Sequence, residues 1–464
     1  MNNLFRILFL SSFVLSAHLK VEAKGKQPNI VFIMADDLGV GWVDYFGTNE
    51  KLKTPNLERL AKSGMIFNKA YAAAPVCSPT RASCITGQTP AKVGLTTHAP
   101  GIGLESYLKR SGGLGKGGAV DAETAAFLPK DAPSYARELK KLGYSTAFFG
   151  KWHLAGEGSL KTSDGIINKE WHPENYGFDI NMGGCAYGQP RSYFDPYRNG
   201  TIENRKQGEY LTERLGDEAA DHIRKHHKEL FHVTLWLYSV HTPFKAPKSL
   251  VQQNGGDTFL AMVESMDRAV GKVIDALEET GTLDNTLFVF YSDNGGHKPT
   301  EGLAEKKGSL LEGGIRVPMV VSWPGKIKAG TTTDEPVSSI DLLPTFVNAA
   351  GGDASKMKEI EGKDLAPLFE GKKKLGREAL YFHFPHNRHG LKYIMGSVII
   401  EGEWKLYKGY GETKTALFNL KKDPQEKSNI IEENKSIADR LDKKLNAWLT
   451  KVDAKMPRKD ADFQ

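Results

Sequence analysis

The chain has three cysteines in 464 residues, Cys77, Cys84 and Cys185. That is too few for a disulfide framework, so a hydrophobic core must hold the fold. Long apolar runs are missing as well. After residue 23 nothing approaches the ~20 consecutive apolar residues of a membrane-spanning helix, so no membrane span is expected. No basic stripe with interleaved aromatics accompanies the formal charge of +6, which argues against a nucleic-acid partner. No internal repeat is present.

What is there reads as an ordinary globular protein. Apolar residues make up 40% and charged residues 25%, a balance that is neither disordered nor fibrous. The 48 glycines imply plentiful loops. Residues 1–23 combine Arg6, an apolar stretch over 7–17 and a closing Val21-Glu22-Ala23, the pattern of a signal peptide with a small-residue cleavage site. The expected location is therefore exported, periplasmic or extracellular. Cleavage would remove two positive charges and one negative, lowering the formal charge from +6 to +5. A mildly basic protein suits an anionic substrate. Cys84 and Cys185 are expected either to pair or to stay as small buried groups.

Four apolar runs end abruptly in residues capable of chemistry. Residues 29–35 run into Asp36 and Asp37, and 145–149 into Gly150, Lys151, Trp152 and His153. Residues 231–240 run into His241, and 287–291 into Asp293 and Asn294. Between them lie helical patterns at 55–63, 132–142, 212–228 and 258–279. Strands alternating with helices predict an α/β fold with a mostly parallel central sheet flanked by helices. Ligands in such sheets bind beyond the carboxyl ends of the strands, so the four polar tips should meet on one edge. From about residue 375 the texture changes to short alternating strands at 379–384, 397–400, 404–407 and 416–420, then a helix at 435–449. The expected division is a signal peptide at 1–23, a catalytic domain at 24–374, and a small C-terminal antiparallel subdomain at 375–464. Residues 99–128, rich in Gly and Ser, read as a long loop over the active edge.

The segment Cys77-Ser78-Pro79-Thr80-Arg81, followed by Ala82-Ser83-Cys84-Ile85-Thr86-Gly87, resembles the signature of the type I sulfatase family. In that family the cysteine is oxidised by a separate maturation enzyme to formylglycine. Local physics is compatible: Pro79 suits the first position of a helix, Cys77 would sit just before it, and a helix N-terminus favours an anion. Gly150-Lys151-Trp152-His153-Leu154, His241-Thr242-Pro243 and the Lys307-Gly308-Ser309 region resemble further motifs of the family. The resemblance covers roughly residues 28–325 and continues weakly to about 430 through Trp404-Lys405-Leu406. It departs from the usual pattern at Thr80 and Cys84, and neither departure removes a catalytic group.

The resemblance implies an alkaline-phosphatase-like fold and hydrolysis of sulfate monoesters on sulfated carbohydrate. It assigns Cys77, Arg81, Lys151, His153, His241 and Lys307 to catalysis, and Asp36, Asp37, Cys77, Asp293 and Asn294 to a metal. The hard oxygen donors select calcium ahead of magnesium, because zinc would call for His or Cys ligands at these tips. Hydrated formylglycine would attack sulfur while Arg81, Lys151 and Lys307 balance the sulfate oxygens. His241 would protonate the leaving oxygen, and His153 would take the proton whose loss releases sulfate. Two other readings stay open: a phosphomonoester or phosphonate hydrolase of the same superfamily, and a sulfated-glycan binding protein if Cys77 is unmodified. His226, His227 and His232 are expected on a solvated face. Trp171, His172 and Pro173, with the rim from His383 to His389, are candidate linings for sugar subsites.

Overall fold

The computed structural model describes residues 27–47, 51–101, 119–157, 165–387 and 390–459. The expected signal peptide lies outside them. Eight strands form the main sheet: β1 (Asn29–Ala35), β2 (Met65–Phe67), β3 (Ser145–Gly150), β4 (Ile180–Met182), β5 (Phe231–Trp236), β6 (Thr286–Ser292), β7 (Val320–Ser322) and β8 (Thr331–Thr333). Their spatial order is β8-β2-β7-β6-β1-β5-β3-β4. The run β6-β1-β5-β3-β4 is parallel, while β7 is antiparallel to both of its neighbours. β1 lies between β6 and β5 inside the parallel run, paired from Asn29 to Ala35 with Thr286 to Ser292 of β6.

The two-residue period of a strand sends alternate β1 side chains to opposite faces. Ile30, Phe32 and Met34 enter one core, with α2 (Cys77–Thr86), α3 (Tyr135–Lys141) and α6 (Leu342–Ala349). Val31, Ile33 and Ala35 enter the other, with α1 (Pro55–Ser63), α4 (Leu211–His226) and α5 (Thr258–Glu279). A strand buried on both faces has no polar side to show, which is why the NIVFIMA run is continuous rather than alternating. α5 starts where Asp257 accepts the N–H groups of Phe259 and Leu260. Asp267, buried on α5, in turn accepts the first-turn N–H groups of Asn56 and Leu57 and fixes the start of α1.

The C-terminal part is an antiparallel meander of β9 (Leu380–Phe384), β10 (Gly396–Glu401), β11 (Trp404–Gly409) and β12 (Ala416–Asn419). On one face Leu441, Leu445 and Trp448 of α7 (Lys435–Lys451) cover Ile399, Leu406 and Leu417. The other face packs Phe382, Val398 and Phe418 against Tyr71, Leu310, Leu311 and Ile315. The small sheet therefore braces the segment that carries Lys307.

Several expectations are corrected. α2 begins at Cys77, with Pro79 two residues further in, a place in the first turn where no backbone N–H is needed. β5 ends at Trp236 rather than at Val240. His232 is not on a solvated face: it is fully buried in β5, its Nε2 2.8 Å from Thr234 Oγ1, and burial pushes its pKa down to about 3. His226 is half-buried and stacks on His222 at 4.3 Å, and half-buried His227 meets Arg224 O at 2.7 Å. His172 and Pro173 point inward, and Trp171 stacks on Phe127 at 4.0 Å, so this segment is packing rather than a subsite wall. The rim from residue 383 is also largely interior. His383 is buried between Ser397 Oγ (2.6 Å) and Lys455 O (3.0 Å), and His386 is buried 2.8 Å from Thr96 Oγ1. Phe384 is buried, and Asn387 hydrogen-bonds to Asp121. Arg388, His389 and residues 102–118 of the expected loop lie outside the described residues. Cys84 and Cys185 are unpaired buried thiols.

Candidate active site

The parallel strands β1, β3, β5 and β6 deliver their polar ends to one edge, and backbone bonds lock the exits together. Asp36 N donates to Ser239 O at 2.8 Å, Val240 N to Asp36 O at 2.6 Å, and Asp293 N to Ala35 O at 3.2 Å. Asp37 has a left-handed backbone, φ 59°, which turns the chain as soon as β1 ends. Its N–H donates to Asp293 Oδ1 at 3.1 Å, joining residues 256 positions apart.

Cys77 enters this edge as the first residue of α2, where first-turn N–H groups have no intrahelical partner. Its Sγ lies 3.4 Å from Asp36 Oδ1, 3.9 Å from Asp37 Oδ1 and 3.4 Å from Lys307 Nζ. Lys307 also holds Asp37, with Nζ 2.6 Å from Oδ1 and 2.9 Å from Oδ2. Arg81, one turn along α2, reaches Asp293 Oδ2 through Nε (3.0 Å) and Nη2 (2.7 Å), and Lys151 O through Nη1 (2.7 Å). Its guanidinium lies over Trp236, 5.2 Å from the ring centroid. The Lys151 ammonium bonds to Asp36 Oδ2. His241 Nδ1 stands 2.5 Å from Thr242 O, and its Nε2 is 3.8 Å from Asp37 Oδ2. His153, also left-handed at φ 59°, has its carbonyl held by Ser78 Oγ at 2.7 Å.

Asp36, Asp37, Cys77, Arg81, Lys151, Asp293 and Asn294 are fully buried, so the carboxylates and cations among them act on one another with little screening. Burial, reinforced by the neighbouring Asp293 and Cys77, holds the Asp36 carboxyl well above the usual range. Burial would raise Asp37 too, but the ammonium of Lys307, with His241 and Lys151, overrides it and pulls that carboxyl far down. Asp293 is lowered in the same way by Arg81. Burial opposes the Lys307 ammonium, yet the charge of Asp37 keeps its pKa above the ordinary lysine value. Burial and the nearby Lys307 push His241 down to about 3.

The residues fit a hard divalent cation. Among the described residues, Asp36, Asp37, Cys77 and His241 each bring a ligating atom within 4.8 Å of the others'. Asp293 stands outside that group, engaged by Asp37 N and Arg81. Asn294 donates to Asp37 Oδ1 at 2.8 Å, while its own Oδ1 is buried without a hydrogen-bond partner among the described residues. A buried, unsatisfied carbonyl beside clustered carboxylates is the donor chemistry of calcium or magnesium.

Some contributors have no mark in the sequence. Tyr193, from an irregular segment, donates to both Tyr238 O (2.9 Å) and His241 O (2.8 Å) and so fixes the His241 backbone. Trp236 supplies the face under Arg81, and its position at the end of β5 is the one signal that could have pointed to it.

The Sulfatase family model matches residues 28–352, and that of N-sulphoglucosamine sulphohydrolase, C-terminal, matches residues 302–455. A Formosa agariphila sulfatase is 30% identical over 96% of this chain and 93% of its own length. Human steryl-sulfatase is 30% identical over 77% of this chain and 72% of its own. The crystal structure of Ps i-CgsB in complex with k-i-k-neocarrahexaose superposes with a TM-score of 0.75 at 29% identity, covering 91% of this chain and 93% of that one. The buried constellation at the sheet edge and these likenesses agree: the chain belongs to the sulfatase family, as a type I sulfatase of the alkaline-phosphatase superfamily that hydrolyses sulfuric esters.

Proposed function

We propose that the protein is an exported sulfatase that removes sulfate from a sulfated carbohydrate, with a nucleophile derived from Cys77 and a calcium ion held by Asp36, Asp37, that residue at position 77, Asp293 and Asn294. The observation that carries this reading is the place of Cys77 Sγ, at the start of α2 with Asp36 and Lys307 each 3.4 Å away. The sulfated carbohydrate class is supported by Ps i-CgsB, a structural relative solved with a neocarrahexaose. The division of the mature chain at residues 374 and 375 belongs to the same reading.

Each side chain has a task in this scheme. Arg81, Lys151 and Lys307 bind the anionic sulfuryl group and hold it in line with position 77. Formylglycine, when present, supplies two geminal hydroxyls, one to attack sulfur and one whose deprotonation lets sulfate depart. Calcium, when bound, supplies positive charge for the sulfuryl oxygens and acidifies the attacking hydroxyl. His241, with Lys307 beside it, delivers a proton to the leaving oxygen. A bound sulfate ester brings negative charge that offsets Lys307 and raises His241 from its low ligand-free pKa toward protonation. His153 accepts the proton of the second hydroxyl.

Cys77 is fully buried, so a formylglycine-generating or equivalent enzyme must act before the chain folds. Mass spectrometry of the tryptic peptide spanning residues 70–81 tests the modification, and a panel of sulfated mono- and oligosaccharides tests the substrate. An aldehyde at position 77 and turnover that disappears in Cys77→Ala are expected. An unmodified thiol in a protein that still turns over would sink the scheme.

A further inference from the structure

Four residues after His153, Glu157 turns back onto its ring. Glu157 Oε1 lies 3.1 Å from His153 Nε2, and the same oxygen accepts the N–H of Gly188 at 3.0 Å. The Glu157 N–H itself donates to Ala99 O at 3.1 Å, so backbone on both sides anchors the carboxylate. On another side the His98 ring stacks on His153 with centroids 5.4 Å apart.

Gly188 is required here by space alone. A Cβ at that position would lie 2.2 Å from His153 Nε2 and 2.5 Å from Glu157 Oε1, although the Gly188 backbone is not left-handed. Any larger residue would push the ring and the carboxylate apart.

The charge facing the ring also bears on where the proton sits. Glu157 Oε1 meets Nε2 at ion-pair distance, and a carboxylate oxygen can only accept, so its negative charge favours hydrogen on the ring nitrogen that faces it. In a neutral imidazole the other nitrogen, Nδ1, then holds the lone pair. Among the described residues neither ring nitrogen has an aligned hydrogen-bond partner: Nδ1 is buried and unmatched, and Nε2 has only the 3.1 Å contact with the Glu157 carboxylate. Burial first, then the charges of Lys151 and Arg81, lowers the His153 pKa against the opposing pull of Glu157, which keeps the ring neutral and able to accept.

We propose that Glu157 is a positioning residue of the sulfatase reaction, fixing His153 as the Nε2–H tautomer with Nδ1 as the proton-accepting atom. The proposal rests on the reading of His153 as a base in the preceding section. Orientation of a functional histidine by a carboxylate on its other nitrogen is a general device, whose loss lowers activity about 10- to 100-fold.

The test uses the full-length protein labelled with 15N-histidine, as wild type, Glu157→Gln, Glu157→Ala and Gly188→Ala. His153 is assigned by the signal missing in His153→Gln. Long-range 1H–15N spectra should show an Nε2–H tautomer in wild type and in Glu157→Gln, whose amide oxygen still accepts. Glu157→Ala and Gly188→Ala should show a mixed or reversed tautomer. Turnover should fall about 10- to 100-fold in Glu157→Ala with KM and thermal midpoint unchanged, and recover in Glu157→Gln. An Nδ1–H tautomer in wild type overturns the proposal whatever the turnover. A changed tautomer in Glu157→Ala with wild-type turnover overturns instead the base role of His153 on which it rests.

Discussion

Beneath the Lys307 segment lies a buried ion cluster whose lysine can be removed. Lys405 on β11 is fully buried, with Nζ 3.0 Å from Glu312 Oε1 and 2.7 Å from Glu426 Oε1. Glu426 Oε2 accepts the Glu312 N–H at 2.6 Å, and Tyr71 OH donates to Glu312 Oε2 at 3.1 Å. Lys405→Met preserves the apolar stem and leaves two carboxylates buried side by side, a loss of a partner that costs about 3–5 kcal/mol. Burial first, and then Glu312, pushes Glu426 up to about 7 against the pull of Lys405. A carboxyl with a raised folded-state pKa gives stability that is present below its unfolded value and lost as pH rises through the folded one. For Glu426 that window runs from about pH 4.5 to about 7, and the loss across it is on the order of 3 kcal/mol. In Lys405→Met the opposing charge is gone and the carboxyl rises further. Urea unfolding followed by tryptophan fluorescence should therefore give the full 3–5 kcal/mol cost at about pH 8 and a clearly smaller one at about pH 5. Adding Glu426→Gln should recover most of the loss at the higher pH. An equal cost at both pH values would refute the reasoning, because a cost that ignores protonation is not electrostatic.

Arg81→Lys keeps a charge but lacks the planar fork that reaches Asp293 and Lys151 O together, so kcat on a sulfated substrate should fall about 100-fold or more. A near-native kcat would contradict the assigned geometry. Chelation of divalent ions should abolish turnover and lower the melting temperature, with calcium restoring both. A site saturated at ~100 times its Kd contributes about 2.7 kcal/mol, so an unchanged melting curve would speak against the ion. Gly150→Ala should destabilise the protein by about 1–3 kcal/mol and displace Lys151, since Gly150 has φ 98° and a Cβ would meet Trp236 O at 2.0 Å. Thermal melting and turnover check this together, and a wild-type melting curve would be inconsistent with that contact.

The local pattern determined the parts of this protein whose causes are local. Apolar runs that stop at Asp36, Lys151 and Asp293 read as strand tips because the change in side-chain chemistry falls where the strand leaves the core, whereas the run into His241 outlasts its strand, which ends at Trp236. Helices α1 and α5 were legible to their ends because Pro55 and the Asp257 cap mark where helical hydrogen bonding starts. His232 misled because its neighbours His226 and His227 belong to a charged helix end, while its own fate was set by β5 being buried on both faces. His383 and His386 failed in the same way. Tyr193 holds the His241 backbone and Lys405 braces Glu312, yet both lie in segments with no local signature of such a role. Residue types and chain order thus determined by themselves which chemistry is present. Tertiary structure alone decided which of those groups lost water and which opposite charge each one then met, because desolvation and pairing depend on what packs alongside from distant parts of the chain.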